Sequence, residues 1–541
     1  MIIFDHVSIK YSENGPWVLR DINLHLDDGQ LVLVAGHTGS GKSTLLGAIN
    51  GHVPHFTGGL LSGRVTVDGL DTAAHPPREL AQTVGVVPQD PLAGFVTDTV
   101  EEELAYGMEQ LGVTPQTMRA RVEETIDILS LDDLRGRALR SLSGGQQQRV
   151  AIGSVLATGC RTLVLDEPTS ALDPLSSEEV LAAMLRLVHD IGVTVIVAEH
   201  RLERVASYAD QMILLDGSGG VINDDTPTVM TVSPLVPPVV ELGRLAGFGT
   251  TPLSVRQARQ MAGPLRLTLA TKDPDGYPRL PTPTVEAHTE PEDVPQPTGL
   301  AVRDLSVTYG RIAAVKHASL DVSTGSITAI MGRNGSGKSS LLWALTGVQG
   351  ITSGGFSVDG TPLENKGTDQ VRRYVRLVPQ NAADLLYLDT VEAECAEADT
   401  TPGMCHRILE SLTQIDPSAH PRDLSAGQQL SLVLAIQLTA HPRVMLLDEP
   451  TRGLDYPAKA ALAQILRRLA DERRTVIVVT HDVEFAATVA DRIAVMAAGE
   501  IIQSGTATQV LGTSALFAPQ VAKVLYPSHW LTPYQVGQAL A

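Results

Sequence analysis

Aromatic residues are scarce. Phe, Trp and Tyr make up 4 % of the 541 residues, while 43 % of the chain is apolar. The cores must then be built from Val, Leu, Ile and Ala. Cysteine is nearly absent: Cys160, Cys395 and Cys405 form no CxxC pair and give no zinc or iron–sulfur spacing, so they read as reduced thiols. No run reaches the ~18 apolar residues that crossing a bilayer requires. The N-terminal MIIFDHVSIKYSENG lacks a basic region followed by an apolar one, so no signal peptide is expected. Any membrane work would be done from the cytosolic side, through separate partners. A basic excess is also missing. Lys and Arg total 41 against 61 Asp and Glu, a net charge of −20, which disfavours a broad grip on nucleic-acid phosphates.

What is there, is there twice. LVLVAGHTGSGKSTLLG at 31–47 returns as ITAIMGRNGSGKSSLLW at 327–343. VGVVPQD at 84–90 returns as VRLVPQN at 375–381, and LSGGQQQRVAI at 142–152 as LSAGQQLSLVL at 424–434. TLVLDEPTSALD at 162–173 returns as VMLLDEPTRGLD at 444–455. The order is the same in both halves, and even the tails repeat: SPLVPPVVELGRL at 233–245 is similar to SALFAPQVAKVLY at 514–526. The expected layout is a first domain over 1–228 with a helical appendage over 229–266, then a second domain over 299–510 with its own appendage over 511–541. Between them, 267–298 is rich in Pro, Thr and acidic residues and reads as an extended linker. The expected fold class is α/β, two tandem P-loop NTPase domains.

Each half carries a phosphate loop between an apolar strand and a helix, the context that makes such a pattern a site. In the first half, Gly36, Gly39 and Gly41 let backbone N–H groups converge on phosphate oxygens, and the helix N-terminus adds a favourable dipole. Lys42 is expected against the β- and γ-phosphates, with Ser43 ligating Mg²⁺ and Thr44 beside it. The second set is Gly332, Gly335, Gly337, Lys338, Ser339 and Ser340. A fortuitous glycine-rich turn is the bland alternative, and repetition in the same context removes it.

LVLDE places Asp166 and Glu167 at the end of a buried strand, and MLLDE does the same for Asp448 and Glu449. Ligands of parallel α/β sheets sit beyond the strands' carboxyl ends. There the Asp can hold Mg²⁺ and the Glu can polarise water. Phosphoryl transfer needs chiefly positioning and charge neutralisation, so this modest kit suffices.

With LSGGQ at 142–146 the chain resembles the ATP-binding-cassette (ABC) family over nearly its whole length outside the linker. The resemblance implies further roles. Tyr11 and Tyr309 match the aromatic that stacks on adenine. Gln89 and Gln380 match the glutamine that senses Mg²⁺ and the γ-phosphate. Asp173 and Asp455 match the D-loop, and His200 and His481 the switch histidine. In the family each ATP is sandwiched between one half's phosphate loop and the other's signature. Ser143 and Gly145 would then complete the site of Lys338, and Ser425 and Gly427 that of Lys42. The second signature reads LSAGQ; Ala426 stands where the family prefers glycine, and either its methyl crowds and weakens the Lys42 site or, since both Glu167 and Glu449 are present, the alanine is tolerated.

The stretch after Gln89, TVEEELAYG, looks like the ATPases of energy-coupling-factor importers, as do DEPTRGLDY and the helical tails. That resemblance implies a peripheral position on the cytoplasmic face of the membrane. It also implies two partners, a transmembrane coupling subunit and a small membrane-embedded subunit that binds a vitamin or metal ion. A fused ATPase of a sugar or peptide importer is the alternative. A soluble ABC protein acting on ribosomes or DNA is disfavoured by the Pro-rich linker and the missing zinc cysteines.

Overall fold

The computed structural model describes residues 1–281 and 298–541. They form two compact units, Met1–Val240 and Glu241–Ala541.

The first unit lays down ten strands: β1 (Ile2–Lys10), β2 (Leu19–Leu26), β3 (Leu31–Gly36), β4 (Leu60–Val67), β5 (Leu70–Asp71), β6 (Val84–Val87), β7 (Thr162–Asp166), β8 (Thr194–Ala198), β9 (Gln211–Leu215) and β10 (Val221–Asp225). An antiparallel sheet runs β2-β1-β4-β5, and a six-stranded sheet runs β10-β9-β3-β8-β7-β6. The second sheet is parallel from β9 to β6, with β10 antiparallel at its edge. Its central strands β3 and β8 are buried at every position, which their unbroken Val, Leu, Ile and Ala runs require. The Lys42–Ile49 helix is wedged between the two sheets. Leu45, Leu46, Ala48 and Ile49 pack against Ile2, Phe4 and Val7 on one side and Val32, Val34 and Ile196 on the other. A helix apolar on all sides has to be covered in this way. Each such Leu or Ile contributes about 1.5–3 kcal/mol, and that core fixes the phosphate loop in front of it. The Val100–Gln110, Pro115–Leu129 and Gly144–Leu156 helices form the subdomain that carries the signature.

The second unit repeats the plan with β11 (Thr298–Tyr309), β12 (Ile312–Ser323), β13 (Ile327–Met331), β14 (Ser353–Val358), β15 (Thr361–Pro362), β16 (Val375–Val378), β17 (Val444–Asp448), β18 (Thr475–Val479), β19 (Arg492–Ala497) and β20 (Glu500–Thr506). Its sheets run β12-β11-β14-β15 and β16-β17-β18-β13-β19-β20. The second strand order is the first one read from the other end. Among the described residues no helix is long and apolar enough to cross a membrane.

The linker reading needs correction at its start. Residues 267–281 are not an extended spacer, for they pack on the second unit. The Gly263–Leu269 helix runs through the expected boundary, and Leu269 and Leu280 are buried. Gln535 Nε2 donates to the Pro274 carbonyl at 2.6 Å, and the Tyr277 ring lies 5.6 Å from that of the fully buried Trp530. Proline richness masked three apolar anchors, Leu269, Tyr277 and Leu280. The rest of the expected linker, 282–297, lies outside the described residues. The appendage over 229–266 is likewise divided, since residues from Glu241 onward belong to the second unit. There the Val255–Met261 helix packs on Gln520–Leu525, and Arg266 Nη2 donates to the Val524 carbonyl at 2.6 Å.

Candidate functional site

Both phosphate loops are held open by glycines in backbone conformations that side chains avoid. Gly41 precedes the helix at φ 102° and Gly337 at φ 100°. A Cβ on Gly36 would stand 2.4 Å from Ser40 Oγ, and one on Gly337 would stand 2.2 Å from the Ala314 carbonyl. The loops therefore tolerate no side chain at these points. Lys42 Nζ donates to the Gly36 and His37 carbonyls at 3.0 and 3.1 Å. Lys338 Nζ does the same to Gly332 and Arg333, both at 2.9 Å. Each ammonium is thus buried and curled over its own loop. The hydroxyls of Ser40 and Ser336 are buried at the loop bases with no protein partner. A phosphate chain fits such a cradle of N–H groups, ammonium and orphaned hydroxyl.

The acidic pair lies where β7 and β17 end. Ser43 Oγ donates to Asp166 Oδ2 at 3.0 Å. Burial pushes the Asp166 carboxyl above its ordinary range and the Glu167 charge adds to this, while the bond from Ser43 and the Lys42 charge oppose it. Asp448 is shifted the same way, by burial first and Glu449 next, against Ser339 and Lys338. A hydroxyl and a reluctantly charged carboxylate side by side are the hard oxygen donors that suit Mg²⁺.

Glu167 and Glu449 both sit in left-handed backbone, at φ 49° and φ 47°. This costs on the order of 1–3 kcal/mol for a residue with a side chain. Each of these strained residues holds its carboxylate beside a histidine. His200 Nε2 is 2.9 Å from Glu167 Oε1, whereas His481 approaches Glu449 Oε2 at 2.7 Å through Nδ1. Gln89 Nε2 donates to the other Glu167 oxygen at 3.0 Å. The structure thus gathers Lys42, Ser43, Asp166, Glu167, Gln89 and His200 in one place. In the second half Lys338, Ser339, Ser340, Gln380, Asp448 and Glu449 line one cavity of about 420 Å³.

The aromatic positions are partly open. Tyr11 is 45 % exposed and its hydroxyl shares a hydrogen bond with Thr44 Oγ1 at 2.9 Å. Tyr309 is 38 % exposed and stands outside the lining of the second cavity, where Ile312, Ala313 and Lys316 take part instead. The signature and D-loop residues do local structural work. Ser143 and Ser425 cap their helices in capping boxes with Gln146 and Gln428. Asp173 and Asp455 cap theirs by accepting from Ser176 N–H at 3.1 Å and Ala458 N–H at 2.9 Å. A Cβ on Gly145 would meet Ser176 Cβ at 2.8 Å, so packing by itself already calls for glycine there; one on Gly427 would meet Ala458 at a comfortable 3.5 Å. Ala426 packs with Leu454 and Ala458 in the second unit's own core. Its methyl is half-buried there, against its own half. Two residues outside the quoted motifs, Glu199 and Arg204, bond to Thr169 within TLVLDEPTSALD. An acid before the histidine looks like any polar strand end.

Comparison with known proteins agrees with this geometry. The ABC transporter family matches residues 19–170 and 315–452, and an AAA-domain family matches 418–487. A Streptomyces coelicolor protein described as "Putative ABC transporter ATP-binding protein" is 53 % identical over the full length of both chains. A Streptomyces avermitilis protein of the same description is 51 % identical, again over both full lengths. Among solved structures, an archaeal ribosome recycling factor in complex with a ribosomal stalk protein superposes with a TM-score of 0.59 at 21 % identity, covering 94 % of this chain and 91 % of that one. A structure named RNase-L Inhibitor gives 0.59 at 22 % identity over 94 % and 92 %. At such identities the likeness shows the fold alone. Two matched domains and full-length relatives place this chain in the ABC transporter family of ATP-binding proteins, with two ABC domains in tandem.

Proposed function

We propose that this chain supplies both ATPases of an energy-coupling-factor type importer, and that it powers uptake of a vitamin or metal ion. It would work on the cytoplasmic face of the membrane, beneath a transmembrane coupling subunit and a small membrane-embedded binder. The observation that carries the ATPase part is the Gln89–Glu167–His200 cluster in front of Lys42, Ser43 and Asp166. The importer type rests on TVEEELAYG behind Gln89 and on the paired tails.

In this reading Lys42 and Lys338 turn from the loop carbonyls to the β- and γ-phosphates. Bound Mg²⁺ would neutralise phosphate charge, held by Ser43, Asp166 and Gln89 in one half and by Ser339, Asp448 and Gln380 in the other. Glu167 and Glu449 orient water and take its proton, and His200 and His481 hold those carboxylates and reach the γ-phosphate. The residues Ser143 and Gly145, and Ser425 and Gly427, each complete the opposite half's site. Closure on ATP would push the coupling subunit and hydrolysis would reset it.

The test is a pull-down of tagged chain from native membranes in mild detergent. Recovery of a coupling membrane protein and a small multi-span binder supports the proposal, and the binder reveals the substrate. Recovery only from the soluble fraction, with ribosomes or nucleic acid, overturns it.

A further inference from the structure

The two halves fasten their histidine loops by different devices. In the first half Glu199 precedes His200 and is 1 % exposed. Its carboxylate accepts from the Thr169 N–H at 2.9 Å and the Thr169 hydroxyl at 2.6 Å. Thr169 lies just beyond Glu167 and Pro168, so one side chain ties the His200 loop to the Glu167 loop. Arg204 extends the tie. Its Nη1 donates to the Thr169 carbonyl at 2.7 Å, to the Thr169 hydroxyl at 3.0 Å and to the Ser177 hydroxyl at 2.7 Å. Ser177 belongs to the Pro174–Arg186 helix, which Asp173 caps.

The second half lacks this knot. Thr480 replaces Glu199, and the hydroxyl of Thr451, the counterpart of Thr169, is buried without a hydrogen-bond partner. Lys459 stands where Ser177 stood and Asp482 follows His481. Lys459 Nζ meets Asp482 Oδ2 at 2.7 Å, with side chains only 11 % and 2 % exposed. The cation has moved to the D-loop helix, yet the same two segments are joined. Buried charge is a poor route to net stability, because desolvation offsets the attraction. Placement of the histidine accounts for both devices.

We infer that Glu199 in the first half, and Lys459 with Asp482 in the second, are positioning residues for hydrolysis, holding His200 against Glu167 and His481 against Glu449. The inference rests on the ATPase reading and is independent of the importer type. The telling variant is Glu199→Thr, which installs a residue that the second half already folds with; Glu199→Gln keeps an oxygen to accept both Thr169 bonds. Steady-state ATP hydrolysis by the full chain is measured well below each variant's melting temperature, with Glu449→Gln present where the first half is varied and Glu167→Gln where the second half is, so that one site turns over at a time. Glu199→Thr is expected to lower kcat roughly tenfold or more, as misplaced catalytic groups do, with KM for ATP within about twofold. Glu199→Gln is expected to restore most of kcat. The paired change Lys459→Met with Asp482→Asn, which strands no buried charge, is expected to give the same split. A kcat for Glu199→Thr within about twofold of the chain carrying Glu449→Gln alone, or no rescue by Gln, overturns the inference. A wild-type chain without turnover would remove the ATPase reading itself, and this inference with it.

Discussion

Glu167 stands between Gln89 and His200, taking a hydrogen bond from the first at 3.0 Å and lying 2.9 Å from the second. Glu167 makes both contacts from left-handed backbone at φ 49°, a strained conformation of the kind that clusters at functional sites.

If these glutamates are the bases, replacing both by Gln should leave ATP binding intact and remove turnover. Glu167→Gln with Glu449→Gln is expected to lower kcat by about 10²–10⁴, with ATP affinity within about twofold. Filter binding and phosphate release check the two halves of the statement.

Lys42 and Lys338 carry charge-assisted bonds, each worth about 1.5–3 kcal/mol. Lys42→Met with Lys338→Met should therefore weaken ATP binding at least roughly tenfold. A fluorescent ATP analogue titrated against each variant reads it directly.

Asp166 is held above its ordinary pKa, chiefly by burial. A folded-state pKa above the unfolded one means that ionisation at neutral pH costs stability, and that stability is regained as pH falls. Asp166→Asn should then raise the melting temperature of nucleotide-free protein at neutral pH while abolishing hydrolysis. The gain should shrink as pH approaches the ordinary carboxylate range near 4, as calorimetry at several pH values would show.

Ala426 packs on its own core, so Ala426→Gly is expected to leave ATP turnover within about twofold. Loss of the methyl and the poorer helix residue should cost about 1 kcal/mol. A turnover gain well above twofold would restore the crowding idea.

The phosphate loops, acidic pairs and histidines were legible because each chemistry needs fixed residue types at fixed spacing beside a strand. The duplication made the α/β plan legible too. The tether of Glu199, Thr169 and Arg204 was not, since its members lie 30 and 35 residues apart and meet only when β7 and β8 pair. The docking of 267–281 was hidden for the opposite reason: its Pro and Asp residues read on into the Pro- and acid-rich stretch that follows, while Leu269, Tyr277 and Leu280 pack on the second unit.

The central claim is that one chain holds two competent nucleotide sites. The most direct measurement is the number of ATP molecules bound per chain by the Glu167→Gln, Glu449→Gln variant at saturating MgATP, by equilibrium dialysis. The account predicts two; a plateau at one, or none, would contradict it.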